Sequence, residues 1–325
     1  MSTEGISNTA LMAYGLRVVN TAWTGNAIQV YNGTTTKDIG FVANSLDTAS
    51  LLSFAGNGTV TVSKWYDQSG NGHDAVQATP SLQPAIVING EVTNVLGYPA
   101  IQFTGTQILT ANTALLSNAN STLVALVMPT GGNFETLVST TLSSGNDASF
   151  AFGSGSQLAL GNNGNGSIGT PLYAQQRVPT LLAWTANSVS SGQYTTATAY
   201  LGYDSNATVS LQMNGNPTGT TNIGNAPPYD AFTGFMREIA AWPEQLSTGS
   251  IFTVMGNMDI AAPVNVTGTL EETLLSTNSS AKITFAGMEV LMAPVVVNAM
   301  ITGAYMEVLC EIPRSSAASV CISGG

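Results

Sequence analysis

The sequence predicts an all-β fold, a β-sandwich, from two observations. Short segments rich in β-branched and aromatic residues recur at intervals of about 8–15 residues with turn-forming residues between them, a spacing typical of sandwiches. Only 8% of the residues are charged, whereas an ordinary domain has about 25%. Small polar residues and 34 glycines therefore form the surface and the turns.

The length of 325 residues is enough for one large sandwich and a small appendix, since a domain has roughly 100–200 residues. We predict an N-terminal arm over 1–12, the sandwich over 13–262 and a small β domain over 263–325 that docks or oligomerises. About sixty residues make a marginal independent fold, so the last part is expected to need a partner.

The first elements follow from local patterns. Residues 27–31 alternate at period two and predict a strand that ends at Asn32-Gly33. A short helix is predicted over 48–54, with Ser45 or Asp47 as its cap and Gly56 at its end.

Later elements are longer. Residues 121–128 are almost continuously apolar, which predicts a strand buried on both faces. Residues 232–242 are the last long strand of the sandwich, and residues 244–259 have the periodicity of a helix. In the tail, strands are predicted over 282–285, 295–300, 306–310 and 319–322.

The most distinctive stretch is VSKWYDQSGNGHDAVQ, residues 62–77, where a strand runs into a glycine-rich polar loop. Glycine accepts positive φ, and Asp and Asn can bond their own backbone, so the loop should have a defined shape. We predict a structural loop made of Trp65, Tyr66, Asp67, Gln68, Ser69, Gly70, Asn71 and Gly72. Adjacent Trp65 and Tyr66 should point to opposite faces of the strand.

The same loop has the first half of a calcium-binding pattern. Asp67, Ser69 and Asn71 supply oxygens at alternate positions and Gly72 follows, but Ala78 stands where a bidentate glutamate is required. A hydrogen-bonded turn is the favoured alternative, and no metal or cofactor is expected. His73 is the only histidine, which excludes a metal site made of several imidazoles.

Residues 65–87, WYDQSGNGHDAVQATPSLQPAIV, and 97–103 resemble concanavalin A-like (laminin-G-like) jelly-roll domains, above all the catalytic domain of arabinofuranosidase B. Residues 13–17, 24–28, 38–41 and 46–52 resemble the lead-in of that family. The resemblance covers residues 10–262 and implies a jelly-roll sandwich. Similar domains also occur in phage structural proteins.

The resemblance implies a nucleophilic glutamate on the strand before the last helix, where this chain has Glu238. A retaining glycosidase needs a second carboxylic acid about 5–5.5 Å away, and no matching aspartate was found. The adjacent cysteine pair of the family is also missing. We therefore expect Glu238 to be structural, and catalytic only if the enzyme alternative holds.

The aromatic residues have two interpretations. A sugar-stacking platform and a packed core both suit Trp23, Trp65, Trp184, Trp242, Tyr173, Tyr194 and Tyr229.

Composition limits the partners. A net charge of −11 with seven basic residues argues against nucleic acid and anionic lipid. The N-terminus resembles no signal peptide, and no apolar run reaches the ~20 residues that cross a bilayer.

Cys310 and Cys321 could form a local disulfide, remain free thiols or bridge subunits.

We predict a non-enzymatic phage virion protein, a head-decoration, head-fibre or tail-associated component made in the host cytoplasm and located in the virion. Its expected partners are other virion proteins, further copies of itself and cell-surface glycans. The alternative is a glycoside hydrolase of the α-L-arabinofuranosidase type.

Overall fold

A computed structural model describes residues 9–117, 120–132, 134–162, 166–187, 189–203, 205–226 and 231–258, with the strands of a C-terminal unit. The chain divides into two compact units, residues 1–259 and 260–325. Antiparallel strands dominate the first unit, which confirms the predicted all-β class. None of the described helices is long and apolar enough to span a membrane.

In chain order, the strands of the first unit are β1 Met12–Gly15, β2 Ile28–Tyr31, β3 Thr36–Ile39, β4 Phe41–Val42, β5 Ser45–Leu46, β6 Val60–Trp65, β7 Ala75–Val76, β8 Ala85–Ile88, β9 Glu91–Val92, β10 Asn94–Val95, β11 Tyr98–Pro99, β12 Ile101–Thr104, β13 Leu109–Ala111, β14 Asn120–Pro129, β15 Glu135–Leu142, β16 Asp147–Phe152, β17 Gln157–Asn162, β18 Gly166–Tyr173, β19 Thr180–Asn187, β20 Tyr194–Leu201, β21 Ser205–Gln212, β22 Pro217–Ile223 and β23 Thr233–Trp242. The helices are α1 Thr48–Ala55 and α2 Thr248–Met258.

The strand pairings give two layers. Sheet one has the order β3-β2-β6-β7-β13-β22-β15-β16-β17-β18. Sheet two has the order β12-β23-β14-β19-β20-β21, with β1 next to β12 on the same edge of β23. Strand β8 pairs with both β6 and β12 and joins the layers. The result is the predicted jelly-roll sandwich.

The core lies between the sheets because alternate residues of each strand point inward. The ring of Phe150 on sheet one stacks on that of Trp184 on sheet two, with centroids 5.3 Å apart. At the other end of the sandwich, Tyr14 contacts Trp65, with centroids 5.5 Å apart. Strand β14 is buried on both faces, as predicted, because α2 covers the side that turns away from the core.

Both helices begin next to a residue whose side chain caps the first turn. The Asp47 carboxylate accepts a hydrogen bond from Ser50 N–H at 3.0 Å, and Gly56 ends α1 with φ of 58°. Helix α2 begins at Thr248, four residues later than predicted. The Ser247 hydroxyl accepts from Ser250 N–H at 3.1 Å and so caps the helix at that point.

The C-terminal unit contains β24 Lys282–Phe285, β25 Met288–Leu291, β26 Val297–Thr302, β27 Tyr305–Cys310 and β28 Ile322–Gly324. The sequence did not predict β25, which pairs with β24 in a hairpin. Cys310 lies in β27, and Cys321 lies outside the described residues, so the disulfide stays a prediction. The predicted domain limits also stay a prediction. Met12, which was assigned to the N-terminal arm, is the first residue of β1.

Candidate functional site

The loop that follows β6 is built on the buried carboxylate of Asp67, which has no exposed surface. Its Oδ1 accepts from the N–H groups of Ala13 and Ser69, both at 2.9 Å. Its Oδ2 accepts from the Ser69 hydroxyl at 2.8 Å and from His73 N–H at 3.0 Å. Four donors therefore occupy this carboxylate, and its bonds connect the loop to β1.

Gln68 extends the same connection and is also fully buried. Its amide oxygen accepts from Val19 N–H at 2.9 Å, and its amide nitrogen donates to the carbonyls of Gly15 and Arg17 at 2.9 and 3.1 Å. The Asn71 amide donates to the Ala10 carbonyl at 2.9 Å. These bonds are of the kind that a structural loop requires. Among the described residues, no group of three or more His, Cys, Asp or Glu could hold a metal.

Trp65 and Tyr66 lie on opposite sides of the strand, as predicted. Trp65 is in the core, whereas the Tyr66 hydroxyl donates to Asp38 at 2.8 Å on the outer side. The Lys64 ammonium lies 4.9 Å from the centre of the Tyr66 ring and 3.3 Å from the Asp74 carboxylate. Burial and the bond to Asp38 raise the pKa of Tyr66, so this phenol remains a donor.

Glu238 lies on β23 with no exposed surface. The Arg17 guanidinium donates a hydrogen bond to each of its oxygens, with Nε 2.6 Å from Oε1 and Nη2 2.9 Å from Oε2. Arg17 also donates to the carbonyl of Asn257 on α2. Burial raises the pKa of Glu238, and the charges of Arg17 and Arg237 oppose that rise. Glu238 is therefore enclosed and accepts two hydrogen bonds from one guanidinium. Its structural role stays a prediction.

A row of small polar residues crosses sheet one on the face that turns away from the core. The strand registers place them directly opposite one another on five neighbouring strands. We call this the polar row, and its members are Thr110, Asn222, Ser139, Ser149 and Gly161. The residues beside them, such as Val138 and Phe150, point into the core. Strands lie about 4.8 Å apart, so the row is roughly 19 Å long.

The polar row carries hydroxyl and amide groups, and two of its hydroxyls donate within the protein. The Thr110 hydroxyl donates to Asn222 Oδ1 at 3.0 Å, and the Ser139 hydroxyl donates to the Asn225 carbonyl at 3.2 Å. Ser139, Ser149 and Asn222 are all buried although they lie on the outer face of the sheet. A Cβ atom at Gly161 would lie 2.4 Å from the Ser149 hydroxyl, so a side chain at this position would displace Ser149.

Asp147 lies on the same outer face, two residues before Ser149 on β16 and opposite Thr141 of β15. It is only 3% exposed, and its Oδ1 has no hydrogen-bond partner. Burial raises the pKa of this carboxyl, and a bond from Thr141 opposes the rise. The polar row therefore has beside it a carboxyl group that retains its proton more readily than an exposed aspartate.

Glu135 is a second buried carboxyl with a raised pKa. It begins β15, is 4% exposed, and bonds to Thr233 through one oxygen while Oε2 has no partner. Burial raises its pKa to about 7. A Cβ atom on Gly131 would lie 1.6 Å from Oε1, so the glycine makes room for this carboxyl. Opposite Glu135 on β16 is Phe152, a core residue, which places the carboxyl at the end of the core rather than on the polar row.

The predicted aromatic platform is divided between core and surface. Trp65, Trp184 and Trp242 are buried, Trp23 is half-buried, and Tyr173 and Tyr194 are exposed on β18 and β20. Tyr229 lies outside the described residues. The three buried tryptophans cannot stack on a sugar.

Sequence reasoning missed the polar row, Asp147, Glu135 and the Arg17–Glu238 pair. The segment Asp147-Ala-Ser-Phe-Ala-Phe152 does carry a signal, since its polar residues alternate with core residues. The partner of Glu238 gave no such signal, because 221 positions separate the two residues.

Comparisons with known proteins identify the fold. No family model matches the chain, and no curated protein matches it. A variant of a GH54 α-L-arabinofuranosidase soaked with 4-nitrophenyl α-L-arabinofuranoside is similar, with 13% identity and a TM-score of 0.53. An arabinofuranosidase complexed with arabinofuranosyl-α-1,2-xylobiose has 14% identity and a TM-score of 0.54. The alignments cover 95% and 94% of this chain and 73% of each enzyme.

These comparisons correct the predicted function. The sequence favoured a non-enzymatic phage virion protein, but similar solved structures are arabinofuranosidases with bound ligands. That preference rested on the low content of charged residues and the small polar surface residues as well as on the missing acid partner of Glu238. At 13–14% identity the likeness shows the fold, and the activity of this chain is a proposal.

We predict that Asp67→Ala lowers the free energy of unfolding by about 1–3 kcal/mol, because it leaves buried backbone donors without an acceptor. Urea denaturation with calcium and with a chelator should give the same loss. Strong stabilisation of the unmodified protein by calcium would show that the loop binds metal instead.

Removal of Arg17 should be more damaging. Arg17→Met leaves the buried Glu238 carboxylate without its main partner, which costs about 3–5 kcal/mol. The double variant Arg17→Met/Glu238→Gln should recover part of that loss in chemical denaturation, since the carboxylate that lost Arg17 is then replaced by a neutral amide. The buried Arg237 cation remains, so the recovery is partial. If the double variant were as unstable as the sum of the single ones, the two side chains would not act as a pair.

Glu135 should make stability depend on pH. Its pKa of about 7 in the folded protein lies above its ordinary value of 4.5, so folding favours the protonated form. Its contribution is complete below about pH 4.5 and is lost as pH rises through 7, a difference of about 3 kcal/mol. Glu135→Gln should flatten the stability profile between pH 5 and 8, whereas Glu91→Gln, at an exposed position, should leave it unchanged. Parallel profiles for the protein and for Glu135→Gln would contradict the assignment.

Proposed function

We propose that the protein is a glycoside hydrolase that acts on α-L-arabinofuranosides, with the polar row as its sugar site and Asp147 as the proton donor. The observation that carries the proposal is the Asp147 carboxyl, buried beside the polar row with no hydrogen bond to Oδ1 and its pKa raised by burial. The arabinofuranosidases of the same fold support the choice of substrate.

The chemistry follows from the state of this carboxyl. In hydrolysis, water adds to the anomeric carbon while an acid protonates the leaving oxygen. Burial raises the pKa of Asp147, so this carboxyl retains the proton to be donated more readily than an exposed aspartate. The hydroxyl and amide groups of the polar row can donate to and accept from the hydroxyls of a sugar ring. A row roughly 19 Å long, from strand spacing, accommodates a few sugar units.

The proposal assigns the proton donor alone. Thr141, opposite Asp147, is six residues along β15 from Glu135, so these two carboxyls are ~20 Å apart by strand geometry. Glu238 belongs to sheet two and is engaged by Arg17. Neither of these carboxylates can form with Asp147 the close pair that glycosidases use.

The test is hydrolysis of 4-nitrophenyl α-L-arabinofuranoside and of arabinofuranosyl-α-1,2-xylobiose. We expect Asp147→Asn to lower kcat/KM by about 10²–10⁴. The loss should be greatest for the oligosaccharide, whose leaving group needs the proton more. Because the donor acts in its protonated form, kcat/KM should fall as pH rises through its raised pKa, and the variant should lose this dependence.

Glu244→Gln is the matched control, because Glu244 is an exposed carboxylate away from the polar row. It should retain the activity and the pH profile of the unmodified protein. Absence of turnover by the unmodified protein on both substrates would overturn the proposal. Equal activity of Asp147→Asn and Glu244→Gln would remove Asp147 from the mechanism.

A further inference from the structure

A buried cation with unpaired donors lies on β23. Arg237 is 8% exposed, and its Nε and Nη1 groups have no hydrogen-bond partner. Its neighbour Glu238 is the obvious counter-ion, yet both Glu238 oxygens already accept from Arg17. The Nε group of Arg237 is 3.7 Å from Glu238 Oε1, too far for a hydrogen bond.

The local charge is therefore unbalanced. Two of the chain's four arginines, Arg17 and Arg237, meet around one carboxylate. Burial and the nearby Arg17 charge lower the pKa of Arg237, but a guanidinium stays protonated in proteins. A buried charge with unpaired donors is strongly unfavourable unless an acceptor completes it.

Tyr98 restricts where an acceptor can come from. The Arg237 guanidinium carbon lies 4.3 Å from the centre of the Tyr98 ring, which covers one face of the cation. The N–H groups of a guanidinium point outward in its plane. The missing acceptor must approach the edge of the group, which is the geometry that arginine uses for carboxylate and phosphate.

We propose that Arg237, with Arg17 beside it and Tyr98 over its face, forms a binding site for a small oxyanion, a carboxylate or phosphate group. Glu238 neutralises one of the two guanidinium groups, and the bound anion neutralises the other. The site lies next to the Arg17–Glu238 pair on sheet two, whereas the polar row lies on sheet one, so it is independent of the proposed hydrolase activity.

The experiment titrates the full chain with inorganic phosphate and, separately, with acetate, against chloride at constant ionic strength. Melting temperature and isothermal calorimetry are the measurements. A ligand at 100 times its Kd stabilises the folded state enough to raise the melting temperature by about 5 °C or more. We expect a saturable rise with at least one of the two anions, and the anion that acts identifies the preferred group.

Arg237→Met tests the assignment, and Arg177→Met is its control because Arg177 is exposed. The rise should disappear in Arg237→Met and persist in Arg177→Met. An NMR titration of the unmodified protein gives an independent measurement, in which the Arg237 Nε resonance should shift with the same Kd. Equal stabilisation of both variants, or no saturable response to either anion, would overturn the proposal and leave Arg237 as a water-bonded structural residue.

Discussion

The hydrogen bonds of Asp67 and Gln68 are the constraint on which the rest of the first unit depends. Both side chains are fully buried, and they bond to backbone groups between Ala13 and Val19. Those bonds hold β1 beside the loop, and β1 pairs with β23 of sheet two. Buried polar groups cost free energy unless they are hydrogen-bonded, and these two side chains bond to the backbone around β1. The loop therefore fixes β1, and β1 fixes the position from which Arg17 reaches Glu238.

Sequence patterns predicted the fold well where the information is local. Asp47 caps the start of α1 and Gly56 ends it, and both residue types are recognisable in the sequence. The almost continuously apolar residues 121–128 predict a strand buried on both faces. The start of α2 was placed four residues early because the helical periodicity continues through Glu244, whereas the cap at Ser247 decides where the helix begins.

The candidate site could be predicted far less well, because it depends on long-range pairing. The polar row exists only after β13, β22, β15, β16 and β17 take neighbouring places with one particular register. A shift of one residue in any strand would turn its polar member into the core. Glu238 was identified from a family resemblance, yet its chemistry is decided by Arg17, whose proximity no local pattern reveals.

The buried ionisable groups of the two sheets have different surroundings. On sheet one, Asp147 has no described cation beside it, so burial favours the neutral acid, the form that can donate a proton. On sheet two, Arg17 meets Glu238 with two hydrogen bonds, and that pair stabilises structure while Arg237 keeps unpaired donors. A neutral acid suits proton transfer, and an unpaired guanidinium suits an anion. Because the polar row faces away from the core on sheet one and Arg237 lies on sheet two, a ligand at one position need not displace a ligand at the other.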